Sequence, residues 1–283
     1  MSGKYEVRGR TAVVTGAASG IGRAIATSLA KRGCNLALAD INVAGLVETK
    51  QMIGDAVRVS THHVDVSDRD AIMAFPEAVL REHASVDILV NNAGVAIGGT
   101  FEQASEEDFD WLMSINFFGV VRMTRAFLPL LKRSDDARIV NISSIFGLVA
   151  PPEQTAYCAA KFAVKGFSDS LRNELADTNI GVTTVHPGGV ATRIAEDSRA
   201  PAGVSAEEIE RRKKLYRKLL ILPPEVAGET IVAGIERRQD RILVGSDAKL
   251  LNLAARVFPV RYWKVLTSFG PIRKAQQTIK ESA

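Results

Sequence analysis

Residues 11–22 read Thr-Ala-Val-Val-Thr-Gly-Ala-Ala-Ser-Gly-Ile-Gly, a short apolar run that ends in a cluster of glycines. A brief apolar run closed by a turn signal fits a buried strand. From Gly20 to Lys31 the period changes, and Ile21, Ala24, Ile25, Ser28 and Leu29 fall on one helical stripe. Where a strand hands over to a helix, glycine lets a diphosphate approach the backbone. The helix start then offers free N–H groups and positive potential. Gly16, Gly20 and Gly22, with Ser19 and Ile21 between them, follow a Gly-x3-Gly-x-Gly spacing and are read as the pyrophosphate site of a dinucleotide. The competing reading is a glycine-rich turn that holds no ligand.

Outward from this turn, strand-like runs at 35–39, 57–64, 87–91, 138–142, 181–186 and 242–244 alternate with helical patterns at 42–53, 68–83, 105–132, 154–177 and 224–238. Strands apolar on both faces suit a parallel sheet covered by helices. The alternation predicts an α/β fold: a doubly wound, Rossmann-like parallel sheet of about seven strands. No repeat or long linker divides the chain. Residues 1–247 are read as one dinucleotide-binding and catalytic domain, with a lid at about 193–222, and 248–283 as a helical extension. With 283 residues, 46% hydrophobic and 24% charged, the chain has ordinary globular composition. Its two cysteines, Cys34 and Cys158, rule out a disulfide scaffold and fit reduced, buried thiols. No apolar run is long enough for a membrane span, and Met1–Arg10 lacks a signal-peptide core, so a cytoplasmic protein is expected.

Asp40 ends the second strand, eighteen residues after Gly22. A carboxylate there can accept from both hydroxyls of an adenosine ribose and repel a 2′-phosphate, so NAD is expected and NADP disfavoured. No cation stands at Ser19 or Ile41, and Arg23 is read as solvent-facing. Capping the next helix is the competing role for Asp40. Asp65, after the third strand, is a candidate partner for the adenine amino group. Its competing role is also a cap, although Ser67 is the better candidate for that.

Tyr157 and Lys161 stand four residues apart in a helical pattern and so share a face. They follow the fifth strand, whose end carries Ser143 and Ser144, at the sheet edge where α/β proteins bind ligands. A phenol titrates near 10, too high for a base at neutral pH. A neighbouring ammonium and a bound pyridinium would favour the phenolate and poise Tyr157 to move a proton at an alcohol or carbonyl oxygen. A serine hydroxyl beside it can polarise the same oxygen.

With these residues in place, the chain over roughly 8–245 resembles the short-chain dehydrogenase/reductase family in its NAD-type form. The resemblance rests on Thr15–Gly22, Asp40, Asp65-Val66, Asn91-Asn92-Ala93-Gly94, Asn116, Ser144, Tyr157-x3-Lys161 and Pro187-Gly188-Gly189-Val190-Ala191-Thr192, in that order. It implies that Tyr157 is the general acid/base and that Lys161 binds the nicotinamide ribose and lowers the Tyr157 pKa. Ser144 then contacts the substrate oxygen, and Asn116 holds a water of a proton relay, against the plainer role of a buried amide in a kinked helix. Asn92, Ala93 and Gly94 would lie under the adenine ribose, with Val66 beside Asp65 at the adenine. Pro187, Gly188, Val190 and Thr192 would hold the nicotinamide amide. Family members are usually dimers or tetramers that pack the helices corresponding to 105–132 and 154–177, so the resemblance implies a homo-oligomer, a dimer or a homotetramer.

The lid region opens with Ser205 and Glu208, a capping-box pattern, and then carries Ile209, Leu215, Leu219 and Leu220. Apolar loops at 95–101 and 145–152 reach the same edge. A hydrophobic alcohol or ketone is therefore the expected substrate: a lipid, steroid, terpenoid or aliphatic compound. The competing reading is a lid that simply packs its apolar side on the sheet. Residues 248–280 hold Lys249, Arg256, Arg261, Lys264, Arg273, Lys274 and Lys280 and no acid, a charge of +7 in a chain of net +4. Aromatics interleave with these bases. Such a pattern suits an interfacial helix on an anionic bilayer, or a tail docked on its own subunit or a neighbour. The histidines His62, His63, His83 and His186 show no partner pattern, and no metal site or nucleic-acid motif is expected. The main expectation is a dehydrogenase or ketoreductase. The rival is an NAD-binding scaffold with little turnover, which Tyr157→Phe separates from an enzyme.

Overall fold

Thr11–Thr15 form strand β1, and every residue of it is buried. Ala12 and Val14 face one hydrophobic cluster and Val13 the other, so helices must cover the strand on both sides. The computed structural model describes residues 3–268. In it β1 lies near the middle of a seven-stranded, wholly parallel sheet. The other strands are β2 (Asn35–Asp40), β3 (Val59–His63), β4 (Ile88–Asn91), β5 (Ala137–Ile142), β6 (Ile180–Pro187) and β7 (Arg241–Val244), in the order β3-β2-β1-β4-β5-β6-β7. The order reverses between β1 and β4. In open α/β sheets that switch point is where ligands bind, outside the carboxyl ends of the strands.

Helices α1 (Gly20–Lys31) and α8 (Pro224–Glu236) cover one face, α3 (Arg69–Glu82) and α5 (Gly119–Leu131) the other. The first pair packs backbone to backbone: a Cβ on Gly228 would stand 2.5 Å from the Ala24 carbonyl carbon. Helix α2 (Val43–Ile53) starts at a cap from Asn42, whose side chain accepts from the Gly45 N–H. Asp40 therefore does not cap it. Likewise Asp68, not Ser67, caps α3. In both cases the residue nearer the first helical turn takes the role.

The long helix expected over 105–132 is broken. It runs as α4 (Glu106–Met113), a π-helical turn at Ser114–Phe118, and α5. Such turns insert an extra residue and re-aim side chains, and they occur often at functional sites. Helix α6 (Thr155–Glu174) is continuous. The lid contains α7 (Ala206–Leu219), and the extension forms α9 (Ser246–Val257) and α10 (Tyr262–Ser268). Of the extension expected over 248–283, residues 269–283 lie outside the described residues.

Candidate active site

The glycine turn is built so that no side chain could replace it. Gly16 and Gly20 have φ of +65° and +54°, in the left-handed region. A Cβ on Gly22 would stand 2.0 Å from the Gly16 carbonyl oxygen, so α1 approaches β1 as closely as chains allow. Ser19 sits at the N-cap of α1 in extended conformation, and its side chain accepts no hydrogen bond from the first turn. The first amides of α1 are thus left to an outside acceptor, which fits an anionic diphosphate.

Neighbouring strands brace this turn. The Thr15 hydroxyl accepts from the Asn92 and Ala93 N–H groups at 3.0 and 3.1 Å. The Asn92 side chain donates to the carbonyls of Thr15 (2.9 Å) and Gly16 (3.2 Å). Asp40 accepts from the Ala18 and Asn42 N–H groups at 3.0 and 2.9 Å, which fixes a carboxylate at the β2 edge of the turn. Arg23 is not solvent-facing as expected. It donates to Ala18, Gly45, Thr49 and Glu48 and ties the turn to α2. Asp65 is half-buried and accepts from the Ser67 N–H and hydroxyl. Val66 is buried against Gly119, where a Cβ would meet the Val66 carbonyl oxygen at 3.1 Å.

Across the switch point, β5 ends in Ser143 and Ser144. The Ser143 hydroxyl donates to the Lys161 carbonyl at 2.8 Å, and the Ser144 side chain accepts from the Phe146 N–H at 3.1 Å. Tyr157 and Lys161 lie one turn apart on α6, with the ammonium 5.6 Å from the centre of the phenol ring. The Lys161 Nζ donates to the Ile142 carbonyl at 3.1 Å, and burial brings the ammonium down to about 8. Burial pushes the Tyr157 phenol up to about 12, against a hydrogen bond from Ser144 that lowers it. Among the protein's own groups, desolvation raises the phenol and the Ser144 hydrogen bond is what lowers it, so the downward shift expected from Lys161 does not enter. The ring of Phe146 packs edge-on to Tyr157 at 6.2 Å.

Gly94 joins the two halves. A Cβ there would stand 3.1 Å from the Asn116 Oδ1 and 3.5 Å from the Lys161 Nζ. Asn116 is buried in the π-helical turn, and its amide accepts from and donates to the Val95 backbone, both at 2.8 Å. Its side chain braces the turn against Val95. Beyond β6, Thr192 comes within 3.1 Å of where a Gly20 Cβ would lie, so 187–192 closes the far side of the same cleft.

Several contributors carry no sequence signal. His186 donates from Nδ1 to the Ser144 carbonyl at 2.9 Å, and burial drives its pKa down to about 4. Asp247 accepts from the Gly189 N–H at 2.7 Å and crowds Gly188, so the first turn of α9 clamps the 187–192 segment. In the lid, only half of the expected capping box forms: Ser205 accepts from the Glu208 N–H, but the Glu208 carboxylate turns to Arg212. No residue of α7 is buried. The cleft under α7 is lined by Glu153, Gln154, Arg199, Arg212 and Lys213 together with Pro201, Ile209 and Tyr216. The lid's inner side thus mixes charged and polar side chains with apolar ones such as Pro201 and Ile209.

A family model described as short chain dehydrogenase matches residues 10–203, the span holding every one of these motifs. The chain belongs to the short-chain dehydrogenase/reductase family. Within it, the chain is 40% identical over 266 residues to the putative oxidoreductase SadH of Mycobacterium tuberculosis, covering 92% of this chain and 95% of that protein. A short-chain dehydrogenase/reductase from Burkholderia phymatum, solved in complex with NAD, superposes with a TM-score of 0.81 at 29% identity, over 89% of this chain and 96% of that one. An alcohol dehydrogenase from Thermococcus sibiricus, complexed with 5-hydroxy-NADP, superposes at a TM-score of 0.69 and 28% identity, over 83% and 94% of the two chains. Short-chain dehydrogenase/reductase relatives thus hold either dinucleotide, and this chain is an oxidoreductase with a Rossmann-like nucleotide-binding sheet.

Proposed function

We propose that this protein is an NAD-dependent alcohol dehydrogenase or ketoreductase with Tyr157 as its acid/base. The observation that carries the reading is the convergence of Ser144, Tyr157 and buried Lys161 beside Gly94 at the sheet's switch point. The glycine turn fits the pyrophosphate of a dinucleotide, and Asp40 holds a carboxylate where a 2′-phosphate would be repelled, so NAD is preferred to NADP. Asp65 and Val66 flank the adenine, Asn92, Ala93 and Gly94 underlie its ribose, and Pro187, Gly188, Val190 and Thr192 hold the nicotinamide end.

Bound NAD supplies the acceptor for the substrate's hydride and a positive pyridinium charge. Tyr157 takes the hydroxyl proton as the alcohol becomes a carbonyl, and returns it in reduction. Ser144 donates a hydrogen bond to the same oxygen. Lys161, packed below the ring, holds the nicotinamide ribose and favours the phenolate. Since burial outweighs the Ser144 hydrogen bond and pushes Tyr157 up to about 12, the phenolate depends on positive charge gathered at this point.

The substrate reads as an apolar alcohol or ketone. Phe146 packs on the ring of Tyr157, and Ile97 shares a hydrophobic cluster with it, which supports hydrocarbon at the reacting end; the cleft under α7, of mixed lining, meets its far end. The assembly reads as a homo-oligomer through α4–α6, where Phe118 and Phe162 are 45% and 42% exposed. The test is Tyr157→Phe. It should remove roughly 10²–10⁴-fold of the turnover in an NAD-reduction screen over graded alcohols, and leave NADH binding intact. Full turnover in the variant would overturn the assignment. Activity confined to small charged carbonyl acids would overturn the apolar substrate.

A further inference from the structure

Helices α9 and α10 use only one side to join the protein. Ala248, Leu251, Ala255 and Tyr262 pack on Ile145, Leu148 and Val149, in the loop that follows Ser144. The Tyr262 hydroxyl accepts from the Ala150 N–H at 2.9 Å. Among the described residues, nothing covers the other side. Leu250, Leu253 and Val257, spaced as a helical stripe, are 63%, 57% and 58% exposed, and Val260 in the following turn is 90% exposed. Large apolar side chains gathered in this way mark an interaction surface.

The charges around the stripe decide what covers it. Lys249, Arg256, Arg261 and Lys264 are exposed beside it, and among the described residues none of them makes an ion pair. No acid stands anywhere from 248 to 280. A two-fold contact brings the same patch of both subunits together, so a second copy here would set cation against cation. A surface that is apolar within and anionic outside complements the patch in both respects. Among the described residues no helix is long and apolar enough to cross a membrane, so the contact is one of lying on it.

We propose that the outer face of α9 and α10 docks this protein on an anionic lipid bilayer. The inner face of the same helices buttresses the loop after Ser144, and Asp247 at the start of α9 clamps Gly189. Docking therefore brings the lipid surface next to the elements that shape the site.

The experiment is co-sedimentation of the full chain with vesicles of phosphatidylcholine alone or mixed with phosphatidylglycerol, at low and high salt. The chain should pellet with the mixed vesicles, much less with phosphatidylcholine, and be released by salt. Arg256→Glu with Arg261→Glu should lower partitioning by about fivefold or more for each cation removed. Leu253→Asp with Val257→Asp should abolish it. All four positions are exposed, so melting temperature and NADH binding in solution should not change. Failure of the intact chain to pellet with anionic vesicles would overturn the proposal. So would equal pelleting by the variants, or a dimer in sedimentation velocity that Leu253→Asp with Val257→Asp dissociates. Vesicle binding is read without substrate, so its failure leaves the oxidoreductase reading standing, and the reverse holds too.

Discussion

The glycine turn at 16–22 and the lid helix α7 flank the same edge of the sheet, yet they are held in opposite ways. The turn is locked from every side: by Thr15, Asn92, Asp40 and Arg23, and by backbone contacts that leave no room for a Cβ at Gly22. Helix α7 buries none of its residues and is fastened by side-chain tips, Arg212 to Glu153 and Gln103, Arg217 to Glu196, and Tyr216 to Gln154. A rigid cradle suits a coenzyme that is the same in every turnover. A weakly fastened lid suits a substrate that must enter and leave, because regions that move are drawn from the least stable part of a fold.

The contrast predicts a steep gradient of mutational effects. Gly22→Ala should be the most severe. The new Cβ would lie 2.0 Å from the Gly16 carbonyl oxygen and 2.5 Å from the Asn92 amide nitrogen, and neither group can retreat without opening the turn. Overpacking of this kind costs about 1–3 kcal/mol, and a 1 Å displacement at a binding loop costs on the order of a hundredfold in function. NADH fluorescence titration with thermal melting should show both losses. A variant with native affinity would mean that the turn is softer than its contacts.

Asp40→Ala should come next, and it sharpens the contrast by separating coenzyme choice from folding. Removing the carboxylate leaves the Ala18 and Asn42 N–H groups without their acceptor and removes the repulsion toward a 2′-phosphate. The NAD:NADP ratio of kcat/KM should fall by roughly 10- to 100-fold, equivalent to about 1.4–2.8 kcal/mol. An unchanged ratio would show that Asp40 acts only as a brace for the turn.

How much of this was legible in the chain differs between the two regions for the same physical reason. Around the turn, backbone and burial dictate residue type, so glycine spacing and apolar runs announce β1, α1 and the parallel sheet. Tyr157 and Lys161 were legible because one helical turn fixes their common face. The π-helical turn was not, since Ser114–Phe118 continues a helical pattern and only the Asn116–Val95 pairing rewards the extra residue. The clamp by Asp247 and the anchor by His186 were hidden because each joins segments far apart in sequence: 58 residues for Asp247 to Gly189, 42 for His186 to Ser144. In the lid, exposed leucines mimic an apolar face. The contacts that matter come from Arg212 and Tyr216, residues that surface helices carry for many reasons.

His186 tests the locked side of the comparison through pH. Its buried ring is neutral down to about 4, whereas in the unfolded chain it protonates near the usual 6.5. The unfolded state therefore binds the extra proton between these values. Stability should be fully present above about 6.5 and decline as pH falls toward 4, by about 2–3 kcal/mol for this group. Denaturant melts from pH 7 to 4 check it. His186→Asn, whatever its overall cost, should show a shallower acid slope than the wild type. Parallel slopes would mean that other groups drive acid unfolding.

The mildest change belongs to the lid. Tyr216 accepts a hydrogen bond from Gln154 at 2.8 Å, three residues before Tyr157, and is the aromatic residue α7 turns into the cleft. Tyr216→Phe keeps the ring and removes one hydrogen bond, a loss of about 1 kcal/mol, or roughly 1–4 °C in a chain of this size. NAD affinity should not move, because the glycine turn is held by Thr15, Asn92, Asp40 and Arg23, all outside α7. The KM for alcohols with a polar far end should rise several-fold, while purely aliphatic alcohols should be little affected. If instead the melting temperature fell as far as in Gly22→Ala, the lid would be a structural wall, and the division between cradle and lid would have to be abandoned.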